Sequence, residues 1–330
     1  MRTAPRALAG LLAILSIATI AVAGCGGDDD DDAAAGAADK ATGSSGGKVV
    51  VDHQFGETTI DGTPETIVSL DQQWTDVLVA LGEPPAAYGL DPNTGGKEYP
   101  WRGDGLADSE GISLTDGIPI EKVATAEPDL ILVGWAAEDE AAYQRLADIA
   151  PTIPLLGKDA AVDRWQDMAT VAGKFLGKED AASKLVSDAA ADIEALKAGL
   201  PGLAGKTYAM ANFVPGDAIY VVADPEDGSV VAFQDLGLQI TPTVLEQKAD
   251  QGRAELSLEN AQLLDADLLV LFTNGADPNE LVGYRDLPAV RQGAAVVLDY
   301  TAVMGLNTPT PLSIPYSLEQ IEPALQAAAA

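Results

Sequence analysis

From Lys48 onward, short apolar runs alternate with amphipathic segments. In KVVVDHQFGETTI the alternation has a period of two residues, which predicts a β-hairpin with FGE near its turn. ETIVSL reads as a buried strand. The segment after it, DQQWTDVLVALG, places Trp74, Val77, Leu78 and Leu81 on one helical face and closes with Gly82 as a C-cap. AAYGL predicts a further short strand, and PWRGDGLADSEGISLTDG, rich in Gly, Asp and Ser, reads as a loop. PIEKVATAE then predicts a short helix, PDLILVG a strand and AEDEAAYQRLADIA another helix. Strand and helix alternating in this way, with apolar strands, predict an α/β fold with a mostly parallel sheet and helices on its faces.

The pattern changes between 161 and 200, where helix formers run almost without interruption. EDAASKLVSDAAADIEALKAGL reads as one long helix, with Gly177 as the break from an earlier one. After PGLAG the α/β texture returns. It comprises strand KTYAMANF, a Gly-, Pro- and Asp-containing stretch to Gly228, helices VVAFQDLG and SLENAQLL, strands DLLVLF and AAVVLD, and a last helix LEQIEPALQ. The expected organisation is an N-terminal α/β lobe at 48–160, a helical segment at 161–200 and a C-terminal α/β lobe at 201–330. A faint repeat supports two similar lobes: PIEKVATAEPDLILV aligns without a gap on SLENAQLLDADLLVL, so that Glu121 meets Glu259 and Asp129 meets Asp267.

Composition narrows the chemistry. The 330 residues carry a formal charge of −32, with one Cys and one His. That charge argues against nucleic acid, whose phosphates need Lys and Arg. One Cys excludes an internal disulfide and a multi-thiolate zinc site. The Cys is Cys25, behind Arg2, Arg6 and the apolar run LAGLLAILSIATIAVAG. This reads as a processing signal over 1–24. A membrane-spanning anchor is the alternative; the run is barely long enough for one, and it would leave Cys25 unassigned. VAGC resembles the lipobox of bacterial lipoproteins, in which the Cys becomes the lipidated first residue, a palmitate-type anchor on the outer side of the cell membrane. Residues 25–47, with five consecutive Asp, then read as a flexible acidic tether. Five adjacent carboxylates lack the spaced loop of a calcium site.

No catalytic constellation stands out: there is no GxSxG and no phosphate-cradling Gly-rich loop ending in Lys and Ser or Thr. His53 falls in the hairpin and reads as structural. Trp74, in the first helix after a strand, is either core or faces the strand end. Trp101 and Arg102 sit together in a polar loop, where a ring and a guanidinium suit an anionic or aromatic ligand. Trp135 follows DLILVG at its carboxyl end, the ligand-facing edge of a parallel sheet. Phe213, Tyr220, Phe233 and Tyr300 stand at comparable ends in the second half. Glu121 and Glu259 each suit the first turn of a helix, but capping alone does not explain their recurrence at one point of the repeat.

TPETIVSLDQQWTDVLVALG, PIEKVATAEPDLILVG, LSLENAQLLDADLLVLF and LPAVRQGAAVVLD, in this order behind a lipobox, resemble the periplasmic-binding-protein family for ferric siderophores, haem and vitamin B12. The resemblance spans about Val49 to Leu325. It implies a two-lobed fold whose lobes are joined by one long helix, matched by 178–200, and a ligand held between the lobes. It implies a monomeric, non-enzymatic receptor with no intrinsic cofactor, serving an ABC importer. Glu121 and Glu259 match the glutamates that dock on permease arginines. For an anionic iron chelate Arg102 is the best match, with Trp74, Trp101, Trp135, Phe213, Phe233 and Tyr300 as walls. Arg285 and Arg291 are outside candidates, more consistent with surface charge. Haem is the alternative ligand; its axial residue would be the poorly placed His53 or a Tyr. A surface lipoprotein of the same fold that binds haem or an envelope partner without feeding a permease is the alternative function.

Overall fold

The computed structural model describes residues 47–137, 139–158 and 161–330. The expectations for the leader, for Cys25 and for the tether up to residue 46 lie outside these residues. The predicted hairpin is β1 (Val49–His53) and β2 (Gly56–Ile60), antiparallel with Val49 opposite Ile60 and His53 opposite Gly56. Val51, His53, Thr58 and Ile60 turn inward and Val50, Asp52 and Glu57 outward, as the period requires.

The first sheet is built from β3 (Ile67–Ser69), α1 (Gln72–Ala80), β4 (Ala87–Leu90), β5 (Glu110–Ser113), α2 (Ile120–Thr125), β6 (Leu130–Gly134), α3 (Glu140–Ala147) and β7 (Thr152–Pro154). Its five strands run parallel in the order β5-β4-β3-β6-β7. The winding reverses at β3, and the carboxyl ends of the strands at such a switch point are where open α/β sheets place their ligands. Two of these strands went unread. EGIS lies inside the stretch expected to be loop, yet its backbone pairs with β4 and buries Ile112 at 1% exposure. TIP of β7 is too short to show a period.

The helical segment resolves into α4 (Trp165–Leu176) and α5 (Glu179–Gly199). Gly177, at φ 64°, ends α4 in the left-handed conformation that a residue without Cβ adopts at low cost. α5 is 21 residues long. The second sheet follows: β8 (Thr207–Phe213), β9 (Ile219–Val222), α6 (Val231–Asp235), β10 (Gln239–Ile240), α7 (Pro242–Leu245), β11 (Ala249–Asp250), β12 (Arg253–Leu256), β13 (Leu268–Phe272), α8 (Pro288–Gln292), β14 (Ala295–Leu298), α9 (Tyr300–Asn307) and α10 (Ser313–Ala329). Its order is β11-β12-β9-β8-β13-β14, with β10 also on β8; β8, β10, β13 and β14 are parallel and the β9 side is antiparallel. That antiparallel extension and α9 were not predicted. SLENAQLL is a 3₁₀ segment, Leu258–Leu264, interrupted at Asn260 (φ −104°, ψ 27°).

One apolar core runs from α1 through α4 and α5 into the second sheet; the other face of the first sheet closes a smaller core around Val68, Ile112, Ile131 and Leu146. The repeat has a structural meaning. Asp129, just before β6, accepts from the N–H groups of Glu65 and Thr66 at 3.0 and 2.9 Å, at the start of the neighbouring β3. Asp267, just before β13, accepts from the N–H and hydroxyl of Thr207 at 2.8 and 2.9 Å, at the start of the neighbouring β8. In each sheet one carboxylate ties the amino ends of two parallel strands.

These bonds hold the Asp267 carboxyl below its usual range: burial works against the charge, and the Thr207 and Lys206 donors outweigh it. Asp267→Ala is expected to cost about 1–3 kcal/mol in urea unfolding, because a half-buried donor pair loses a charged acceptor. The more exposed Asp129→Ala is expected to cost less than about 1 kcal/mol in the same assay.

Candidate functional site

The carboxyl ends of the two sheets face each other. Asp91, directly after β4, and Tyr300, the first residue of α9 and two positions after β14, meet across the gap: the Tyr300 hydroxyl donates to Asp91 Oδ2 at 2.7 Å, and Asn93 Nδ2 donates to the Tyr300 hydroxyl at 3.1 Å. The Tyr99 hydroxyl also donates to Asp91. Burial and the Asp91 partner push Tyr300 up to about 12, and burial followed by Asp91 raises Tyr99 as well, so both phenols keep their protons as donors. Phe272 stands edge-on to Tyr300 at 6.1 Å.

Beneath this rim Asp76 gathers three donors. It is fully buried on α1 and accepts from Arg102 Nε at 2.6 Å, Trp101 Nε1 at 2.7 Å and the Thr310 hydroxyl at 2.8 Å. Gln73, on the same helix, donates to the Pro309 carbonyl at 2.9 Å and to that of Asp163 at 3.2 Å. The segment entering α10 is thereby fastened to α1 of the first lobe. Arg102 is matched further by Glu98 at 3.3 Å and lies over the Tyr99 ring at 5.1 Å. Burial disfavours its charge, but Asp76 and then Glu98 outweigh burial and raise its pKa.

Asp71 caps α1 by accepting from Trp74 N–H at 2.9 Å. Burial, with Asp163 and Asp76 nearby, pushes its carboxyl up to about 7, although the N–H groups of Trp74 and Gln73 pull the other way. Gly134 ends β6 at φ 49° against this carboxylate, and a Cβ there would overlap it. On the other side of the junction Asp227, fully buried, pairs with Arg253 at 3.2 Å, and Arg253 donates to Asn307 Oδ1 at 3.1 Å.

The expected site residues divide. Trp101 is half-buried, stacked on Tyr99 at 4.5 Å and 5.4 Å from Tyr316; Trp135 is 51% exposed; Tyr300 is half-buried at the rim. Trp74, Phe213 and Phe233 are corrected: all three are buried in the core. Trp74 packs near Phe175, and Phe233 stacks on Tyr208 at 4.3 Å. Arg102 departs from the expected free guanidinium: it is only 7% exposed and is paired with Asp76 and Glu98. Arg285 and Arg291 are surface residues bonded to Asn279 and Asp286. His53 is buried and bonds Thr58 at 3.0 Å, which makes it structural; burial lowers its pKa. Glu121 and Glu259 are both exposed in the first turns of their segments. Asp91, Tyr99, Asp76 and Arg253 were missed. LDPN after AAYGL, an Asp-Pro turn at a strand end, was the one local signal for Asp91.

Residues 67–300 match the family described as periplasmic binding protein, and the chain belongs to this family, whose members are solute receptors and not enzymes. It is 27% identical over 275 residues to the Fe(3+)-citrate-binding protein YfmC of Bacillus subtilis (strain 168), covering 83% of this chain and 82% of that one. It is 29% identical over 221 residues to the Iron(3+)-hydroxamate-binding protein FhuD of the same organism, covering 64% and 68%. Among solved structures it resembles PiaA of Streptococcus pneumoniae TIGR4 in complex with ferrichrome, with a TM-score of 0.70 and 25% identity over 86% of this chain and 98% of that one. The two-lobed α/β reading agrees with these likenesses.

Two outcomes are expected. Arg102→Met leaves Asp76 buried without its cation and is expected to cost about 3–5 kcal/mol in urea unfolding. Asp71 binds its proton more tightly when folded than unfolded, so its contribution is present below the ordinary carboxylate range and is lost as pH rises towards about 7. Asp71→Asn keeps a cap and is expected to flatten the fall in stability over that window, by on the order of a few kcal/mol, in a series of unfolding curves from about pH 4 to about pH 8.

Proposed function

We propose that this chain is an extracytoplasmic receptor that holds a ferric siderophore between its two lobes and delivers it to an ABC importer, attached to the membrane through a lipid on Cys25. The observation that carries the reading is the Tyr300–Asp91 hydrogen bond, 2.7 Å long, between the carboxyl ends of two parallel sheets. Such ends are where open α/β sheets bind ligands. Trp101, Trp135 and Tyr300 border that junction and offer ring faces to a bulky chelate. Relatives named for iron(3+)-hydroxamate and Fe(3+)-citrate, and a fold neighbour in complex with ferrichrome, support the ligand class. In this reading the siderophore supplies the metal's inner shell and the protein grips the outside. Entry of the complex replaces the Tyr300–Asp91 bond with contacts to the ligand, and the small gap between lobes widens about α5.

The junction also bears on ligand charge. Arg102 is balanced by Asp76 and Glu98, and Arg253 by Asp227, while Asp91 carries no cationic partner among the described ion pairs. A neutral or cationic chelate therefore suits this site better than a highly anionic one. Glu121 and Glu259, exposed at equivalent points of the two lobes, would meet basic residues of a two-subunit permease.

Tryptophan fluorescence titration tests the reading. Ferrichrome or ferrioxamine B is expected to give saturable quenching, with ferric citrate weaker by about ten-fold or more, a difference of about 1.4 kcal/mol. Trp135→Ala is expected to weaken the hydroxamate by roughly 3–10-fold, the usual worth of one aromatic contact. No saturable response to ferrichrome, ferrioxamine B, ferric citrate or haem would sink the proposal. Glu121→Ala with Glu259→Ala is expected to abolish cellular uptake of labelled iron while leaving the titration unchanged; persistence of uptake removes the docking assignment.

A further inference from the structure

α5 is long for what it buries. Of its 21 residues only Ala182 and Ile193 are fully buried. Leu185, Ala189 and Leu196 continue the same face, at the spacing of an apolar helical stripe, yet remain partly open. Opposite them stand Pro311, Ile314, Pro315 and Leu318 at the start of α10, and the two walls enclose a groove of about 420 Å³. Its floor is apolar and its rims are carboxylates: Asp188 and Asp192 on α5, Glu319 and Glu322 on α10. The ion pairs within α5 are Lys184–Asp188 at 2.5 Å and Lys197–Glu194 at 3.5 Å, so among the described residues Asp192, Glu319 and Glu322 meet no cation. Glu322 accepts a neutral bond from Gln326 at 3.0 Å.

We propose that this groove docks a cationic amphipathic helix of a partner protein. An apolar trough flanked on both sides by carboxylates complements a helix whose apolar stripe is bordered by Lys or Arg. The same rims disfavour a second copy of this chain, whose formal charge is −32, and an anionic bilayer. The position also gives occupancy a consequence. Pro311 in the wall follows Thr310, whose hydroxyl bonds Asp76. A docked helix therefore bears both on α5, which links the two sheets along the chain, and on the segment that ties α10 to α1. The inference does not rest on the ligand reading, since none of Asp91, Trp101, Trp135 and Tyr300 lines the groove.

The probe is a fluorescein-labelled synthetic Leu/Lys helix with leucines on one stripe and lysines along both flanks, followed by anisotropy against the full chain. Two comparison peptides are used: one of identical composition scrambled to break the stripe, and one with Glu for every Lys. The striped cationic peptide is expected to bind about ten-fold or more tightly than either, and Asp192→Asn, Glu319→Gln and Glu322→Gln together are expected to remove about ten-fold of that. Neutralising the distant Glu246, Asp250 and Glu255 as Gln, Asn and Gln is expected to change binding by less than about two-fold, as long-range charge is screened. Leu185→Gln, at a half-open position that tolerates polarity, is expected to weaken the striped peptide and leave the scrambled one unaffected. Equal binding of striped and scrambled peptides, or equal effects of the groove and distant triple variants, overturns the proposal. So does concentration-dependent dimerisation that the groove variants abolish. Peptide binding that survives a failed siderophore titration removes the ligand reading and leaves this one standing.

Discussion

The junction between the lobes depends on a single buried carboxylate. Asp76 sits on α1 with no exposure, and its three donors are a guanidinium and an indole from the Trp101–Arg102 loop and the hydroxyl of Thr310 before α10. A charge taken out of water is tolerable only when it is paired and its remaining lone pairs are satisfied. Meeting that demand fixes where the Trp101–Arg102 loop lies. It also holds the start of α10 against the first lobe. Trp101 is thereby held stacked on Tyr99, and Tyr99 reaches Asp91. The rim of the site is thus arranged from below by electrostatics, together with the stacking of Trp101 on Tyr99.

The two lobes express one local solution twice. A parallel pair of strands leaves the N–H groups at its amino end without partners, and an Asp just before the neighbouring strand supplies the acceptor in both sheets. With the amino ends tied in this way, the carboxyl ends carry the loops. The second sheet departs from the first through its antiparallel side, β9 to β12, which brings Arg253 to Asp227. Similar lobes therefore present dissimilar surfaces: aromatic rings and Asp91 from one, and Tyr300 with an internally balanced arginine from the other.

The departures from expectation have a common cause. Trp74 obeyed its helical period and went to the core, because a face shared with Val77 and Leu78 is a buried face whatever lies above the strand end. Phe233 belongs to a five-residue helix that stacks it on Tyr208. Arg102 looked free because a loop arginine shows no partner in sequence, and its partner lies on α1, far from it in the chain. EGIS was read as loop because its composition is polar, although an edge position pairs the backbone regardless of side chain.

The hairpin, the strands and helices with a clear period, the break at Gly177, the long α5 and the twin aspartates were legible in the sequence alone, whereas β5, β7, the antiparallel side of the second sheet and α9 were not. The legible features all rest on interactions within a few residues or on a repeated local pattern, and periodicity records both. Which aromatics face the gap, which arginine is already neutralised and which helical faces stay uncovered were decided only by tertiary structure. Asp91 and Tyr300 stand far apart in the chain and become partners only when two sheets point their carboxyl ends at one another. Burial and charge balance are properties of neighbours in space: Arg102 meets Asp76 from a distant helix of its own lobe, and Asp91 meets Tyr300 from the other lobe.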